Sequence, residues 1–103
     1  MPRTHSGFFK MLSARKRVQI LRLLLQNDDL TVDDLASRLE VSVPTVSRHL
    51  QLLRMQDLVG FRQDAQTRYY HVNKEEIVRG ISDFLADLGI DMPSRTPASS
   101  PET

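Results

Sequence analysis

Cysteine is absent from this chain of 103 residues. That excludes disulfides, thiol redox sensing, thiolate-bound zinc and a cysteine nucleophile. Long apolar runs are missing too. Leu23-Leu24-Leu25 has three members, against about 20 residues for a membrane-spanning helix. The first residues lack the continuous apolar segment of a signal peptide, so the expectation is a cytoplasmic chain with no membrane partner. Glycine-rich phosphate cradles are absent. No serine, histidine and aspartate occur in an order framed by a glycine turn, and histidine occurs only three times. The reading is therefore of a protein that is not an enzyme and needs no cofactor.

What is present is ordinary for a globular domain: 40% hydrophobic and 26% charged residues. The length suits one domain. Net charge is +1, but it is unevenly spread. Residues 1–26 carry six basic groups and no acid, residues 27–40 carry five acids against Arg38, and residues 41–72 are net +2. A near-neutral chain binds nucleic acid when one face is basic. Residues 91–103 are rich in proline, serine and threonine, with Met92 as their one sizeable aliphatic side chain. They read as a disordered tail, and residues 1–5 as a flexible N-terminus. The folded domain is then 6–90, small enough to gain core by oligomerising.

Apolar spacing places the elements. Phe8, Phe9, Met11 and Leu12 make a short helix ending near Ser13, and Ser13 is the expected cap of the next. Val18, Leu21, Leu24 and Leu25 fall at helical spacing on that second helix. Thr31 is an N-cap, with Asp33 and Asp34 in the first turn where the helix dipole favours acids. Val32, Leu35, Ala36 and Leu39 form the third stripe. Ser42 caps the next helix, Pro44 sits in its first turn, and Val46, Leu50 and Leu53 face inward. The period then changes. Val59–Arg62 and Arg68–Val72 read as strands around a turn at Gln63–Thr67, with one of Tyr69 and Tyr70 facing the core. Asn73 is the expected cap of a last helix that Gly89 ends. The fold class is mainly α with a small β-hairpin, in the order α-α-α-α-β-β-α.

Two helices joined by a tight turn at Glu40-Val41, the second opening with small polar residues, form a helix-turn-helix, and the hairpin after it is a wing. The second helix presents Ser42, Pro44, Thr45, Ser47, Arg48 and Gln51 opposite its apolar back. Short hydroxyl and amide side chains exchange hydrogen bonds with base edges, and Arg48 forks onto guanine or a phosphate. Arg62, Gln66 and Arg68 on the wing suit phosphate or minor-groove contact. A winged-helix protein–protein module is the alternative. It is expected to show large apolar residues on the face where Thr45, Ser47, Arg48 and Gln51 stand.

The stretches Leu12–Arg17, Thr31–Ala36, Ser42–Leu53, Asp57-Leu58-Val59 and Arg68-Tyr69-Tyr70 together resemble the ArsR/SmtB family of repressors, over about residues 8–88. The resemblance implies a homodimeric winged-helix repressor whose first and last helices pack across the dimer axis and whose helix from Ser42 reads operator DNA. Phe8, Phe9, Leu12, Ile77, Ile81, Phe84 and Leu88 suit that symmetric interface. His49 fits the family motif and is a candidate for packing or a phosphate hydrogen bond. A twofold axis calls for an inverted-repeat operator, and a DNA-bound regulator is expected to be nucleoid-associated. The chain departs from the family's metal sensors. Many members place cysteines where this chain has Leu35–Leu39, and others use histidines and aspartates on the last helix. Asp83 and Asp87 stand there without histidine, so no metal site is expected. His5 and His71 could join Asp83 and Asp87 only weakly across a dimer. Asp28, Asp29, Asp33 and Asp34 lack the ligand alternation and central glycine of a calcium loop.

Overall fold

Ile20, Leu35, Val46, Leu50, Leu53 and Leu58 are sealed from solvent, and the elements are arranged around them. The computed structural model describes residues 5–91. It runs through α1 (His5–Leu12), α2 (Arg15–Gln26), α3 (Val32–Leu39), α4 (Val43–Met55), β1 (Val59–Asp64), β2 (Thr67–Val72) and α5 (Lys74–Asp87). The order is the one read from the sequence. The flexible start and the tail expected at 91–103 lie, apart from His5 and Asp91, outside the described residues. His5 itself is the first residue of α1 rather than part of the flexible start.

The core is a three-helix packing of α2, α3 and α4, closed by the hairpin. Leu35 and Ala36 of α3 and Val46, Leu50 and Leu53 of α4 are buried as the spacing requires. On α2 the inward face differs from the expected one: Ile20 joins Leu21 and Leu24 in the core, while Leu25 is 49% exposed. The stripe is rotated because Ile20 lies one turn before Leu24 on the same side of the helix. The wing is anchored below. Tyr70 is buried and donates its backbone N–H to the Leu30 carbonyl at 2.9 Å, so the α2–α3 loop forms a bridge to β2.

Local chemistry sets the helix boundaries. Thr31 Oγ1 accepts the Asp34 backbone N–H at 3.1 Å, and the Asp34 carboxylate accepts the Thr31 N–H at 3.0 Å, a complete capping box. These two bonds, with Arg38 one turn further on, hold the Asp34 carboxyl below the usual carboxylate range. Ser42 Oγ likewise accepts the Thr45 N–H. Helices α3, α4 and α5 end alike, on a residue with positive φ followed by a residue whose N–H returns to a carbonyl five positions earlier. The pairs are Val41 to Ala36, Leu58 to Leu53 and Ile90 to Leu85, across Glu40, Asp57 and Gly89. Only Gly89 announces this in the sequence.

Two expected caps are absent. Ala14, not Ser13, precedes α2 and makes no side-chain cap. Ser13 Oγ instead donates to the Lys10 carbonyl at 2.7 Å and closes α1. Arg17 reaches back to the same turn, with Nε on the Met11 carbonyl at 2.9 Å and Nη2 on the Lys10 carbonyl. Asn73 stands at the N-cap of α5, but its amide donates to the Asp57 carbonyl at 2.8 Å, tying the end of β2 to the end of α4. The hairpin is longer than read. Asp64 pairs with Thr67, leaving a turn of Ala65 and Gln66, with Ala65 at φ 57°.

The two terminal helices cross closely at Gly80. A Cβ there would come within 2.2 Å of the Phe8 ring, so α1 lies on the one position of α5 that has no side chain. Phe8 is 2% exposed. This corrects its assignment to a symmetric interface, because Phe8 is already enclosed within its own chain.

Candidate nucleic-acid interface

Burial of Val46, Leu50 and Leu53 turns the opposite side of α4 outward. Ser42, Pro44, Thr45, Ser47, Arg48 and Gln51 are all exposed, as are Arg62, Gln66 and Arg68 on the wing. Helical geometry divides the α4 residues. Pro44, Arg48 and Gln51 run along the outermost line. Ser47, Gln51 and Arg54 run down the flank toward the wing, and Thr45 and His49 lie on the flank toward α2. The first turn is fixed by its own hydroxyls, with Ser42 Oγ 2.8 Å from Thr45 Oγ1.

His49 is half-buried, and its Nδ1 is enclosed with no hydrogen-bond partner among the described residues. Burial, then the positive charges of Arg17 and Arg48, push its pKa down. A neutral imidazole is what this site favours. It lies on the flank of α4 that faces α2.

The wing arginines are not equivalent. Arg62 is stacked 4.5 Å from the Tyr69 ring centroid and paired with Asp29 of the α2–α3 loop at 3.3 Å. Arg68 is stacked 4.3 Å from the Phe61 ring centroid. A polar cleft of about 200 Å³ between α4 and the wing is lined by Ser47, Gln51, Arg54, Arg68 and Tyr70. Arg54 is the residue that the sequence reading missed. It follows Ser47 and Gln51 at the spacing of successive helical turns, and extending the exposed stripe one turn further finds it.

The α1–α5 end has the opposite character. No residue of α5 is buried. Phe9, Ile81 and Leu88 are exposed, together with Val78 and Ile90, while Leu12, Ile77 and Phe84 are half-buried. Phe84 meets the Phe9 ring edge-on at 4.8 Å and the His5 ring at 5.6 Å. His5 Nε2 lies 3.5 Å from Asp87. His71 is not with them. Its ring lies over Gly60 on the hairpin, within 2.9 Å of where a Cβ would stand. Among the described residues no group of three histidine, aspartate or glutamate side chains is placed to hold a metal ion.

Comparison with known proteins gives concordant matches. Residues 15–60 match the family described as bacterial regulatory protein, arsR family. The cadmium resistance transcriptional regulatory protein CadC of Listeria innocua is 35% identical over 86 residues, covering 84% of this chain and 68% of that protein. The transcriptional repressor SdpR of Bacillus subtilis is 34% identical over 80 residues, covering 78% of this chain and 88% of that protein. Among solved structures, a possible ArsR-family regulator from Mycobacterium bovis, described as a homodimeric winged helix-turn-helix DNA-binding domain, superposes with a TM-score of 0.65 at 29% identity, covering 82% of this chain and 79% of that one.

Proposed function

The chain belongs to the arsR family of bacterial regulatory proteins, and from that premise we propose that it is a homodimeric repressor that occludes an inverted-repeat operator on the nucleoid. The observation that carries the reading is the polar outer face of α4 beside an anchored wing. Thr45, Ser47 and Arg48 reach base edges in the major groove, Ser42, Pro44 and Gln51 border them, and Arg62, Gln66 and Arg68 meet the backbone or the minor groove. His49 supports the helix from behind. The exposed large apolar side chains of α4 are at its ends, Val43 and Met55, which disfavours a protein–protein role for the middle of that face. Residues 6–90 then act as one DNA-binding and dimerisation domain without enzymatic activity, in the cytoplasm. With the recognition surface filled by DNA, exclusion of polymerase is the simplest mode of repression.

The dimer reading rests on the α1–α5 end, where Phe9, Ile81 and Leu88 lie exposed around half-buried Leu12, Ile77 and Phe84. A second copy covers that face by twofold symmetry. A mobility-shift titration on the DNA upstream of the chain's own gene tests the whole. Wild-type protein is expected to retard it, and Arg48→Ala to lose about 1–3 kcal/mol per half-site and relax one base position. Equal retardation of scrambled DNA would refute sequence-specific reading.

Signal sensing differs from what the name of CadC describes. High-affinity sites for soft metals need thiolates or several imidazoles, and this chain has no cysteine and three histidines. Zinc, cadmium, arsenite and peroxide are therefore expected to leave operator affinity unchanged. A tenfold loss with any of them, about 1.4 kcal/mol of coupling, would reveal a ligand set, with His5 and His71 across the dimer as the first to substitute.

A further inference from the structure

Two arginines from different elements meet on one ring. The guanidinium carbon of Arg54, in the last turn of α4, lies 4.6 Å from the centroid of Phe61, and that of Arg68, on β2, lies 4.3 Å from the same centroid. Phe61 is a fixed platform. It is half-buried, its strand is paired along its length with β2, and its ring packs 5.5 Å from that of buried Tyr70. Gathering two cations on one ring sets them against each other, which an anion held between them relieves. The neighbouring Arg62 has its counter-ion in Asp29. Neither Arg54 nor Arg68 forms an ion pair with an acid among the described residues. Both line the cleft of about 200 Å³, and its other walls, Ser47, Gln51 and Tyr70, offer hydroxyl and amide donors and no carboxylate.

We infer that this cleft seats one DNA phosphate, clamped between Arg54 of the recognition helix and Arg68 of the wing, with Phe61 as the positioning residue that holds both guanidinium groups in place. The inference rests on the DNA-binding reading above and adds a site to it. A helix in the major groove and a wing in the neighbouring minor groove have one sugar–phosphate strand between them, and this cleft lies at that junction. A phosphodiester offers only acceptors, which suits a lining of two guanidinium groups with hydroxyl and amide donors and no carboxylate. Because every nucleotide carries the same phosphate, the clamp contributes affinity and register without sequence preference. It also links the helix that reads bases to the wing, so the two bind as one body.

Fluorescence anisotropy with a labelled operator duplex and a scrambled duplex, each over a series of salt concentrations, tests the clamp. The variants are Arg54→Ala, Arg68→Ala, their double, Phe61→Leu, and Arg22→Ala as a control in the separate α2–α3 groove. Arg54→Ala is expected to weaken both duplexes alike, by about threefold to tenfold, with a shallower salt dependence. The double variant is expected to lose less than the product of the two single losses, and about one unit of salt slope in all, because one phosphate is released. Phe61→Leu keeps both charges and is expected to weaken both duplexes with its circular dichroism unchanged, while Arg22→Ala binds as wild type. Millimolar inorganic phosphate is expected to give no saturable binding in titration calorimetry, whereas saturable binding abolished by Arg54→Ala would overturn the assignment to DNA in favour of a free anion. Losses that multiply independently, an unchanged Arg54→Ala, or a Phe61→Leu that binds like wild type would overturn the clamp. Wild-type protein that binds neither duplex would overturn the underlying DNA-binding reading instead.

Discussion

The two ends of this molecule are finished to different degrees. Around α2, α3, α4 and the hairpin, most apolar side chains are enclosed within one chain, with Leu25, Val43 and Met55 as exposed exceptions. Helices α3 and α4 are closed at both ends by a cap or a returning backbone bond, and the middle of the outward face of α4 is polar. At α1 and α5 the reverse holds. Phe8 and Met11 are enclosed, but α5 buries none of its residues, and Val78 and Ile81 on it, with Leu88 and Ile90 just after it, stand in the open. The difference teaches where each partner belongs. A polar face over a closed core is suited to a wet, charged ligand such as DNA. An apolar face over an unfinished core is suited to a second copy of the same chain, because covering it supplies the burial that one small domain lacks.

The comparison breaks most severely if the closed half is opened. Leu53 is fully enclosed, and Leu53→Ala is expected to cost about 2–5 kcal/mol, read as a shift of the urea midpoint with loss of operator binding. The next effect comes from the open half. Ile81→Asp places a charge in the proposed twofold interface. Ile81 is 38% exposed in one chain, so the burial lost per subunit is less than the roughly 1.5–3 kcal/mol of a full burial, but the carboxylate must also be desolvated at the interface. Sedimentation should show monomers that keep the helical circular dichroism of wild type. Monomers that also unfold would show that the α2–α4 half is not self-sufficient.

A finer separation comes from Gly80→Val. The added side chain collides with the enclosed Phe8 ring, for an overpacking cost of about 1–3 kcal/mol. Hydrogen exchange is expected to quicken in α1 and α5 while amides of α3 and α4 keep their protection. Uniform quickening would mean that the two ends are one cooperative unit.

The smallest effect sharpens the closed half. Thr31→Ala removes the capping box and is expected to cost about 1 kcal/mol near neutral pH. The Asp34 pKa is lowered in the folded state. Its contribution is therefore present above the ordinary aspartate pKa, near 4, and is lost as pH falls through the lowered value. The gap between wild type and Thr31→Ala in chemical denaturation should accordingly narrow in acid. A gap that widened in acid would contradict the assigned bond.

These contrasts also explain what was legible in the sequence. Periodicity located every element, since Leu35, Val46, Leu50 and Leu53 repeat as a buried stripe must. The caps at Thr31 and Ser42 were legible because the acceptor hydroxyl lies beside the helix that it serves. Ser13 and Asn73 look equally good, yet Ser13 serves the preceding helix through the Lys10 carbonyl, and Asn73 reaches the Asp57 carbonyl 16 positions back. A local pattern shows neither which of two adjoining helices a hydroxyl serves nor a distant acceptor. The inward turn of Ile20 in place of Leu25 depends on which side α2 offers to α4, a tertiary choice between two plausible stripes. On the site, the exposed front of α4 follows directly from its buried back. The Arg54–Phe61–Arg68 contact does not, because it joins a helix to a hairpin through side chains up to 14 positions apart. The enclosure of Phe8 was hidden for a similar reason, since it depends on Gly80 lying opposite it on another helix.

Hydroxyl-radical footprinting of the wild-type protein on its operator tests the central claim most directly, that two copies joined through α1 and α5 present two α4 helices to one duplex. The account predicts two protected segments related by twofold symmetry, with half-sites about one helical turn or a multiple of it apart. A single asymmetric protected segment would contradict it.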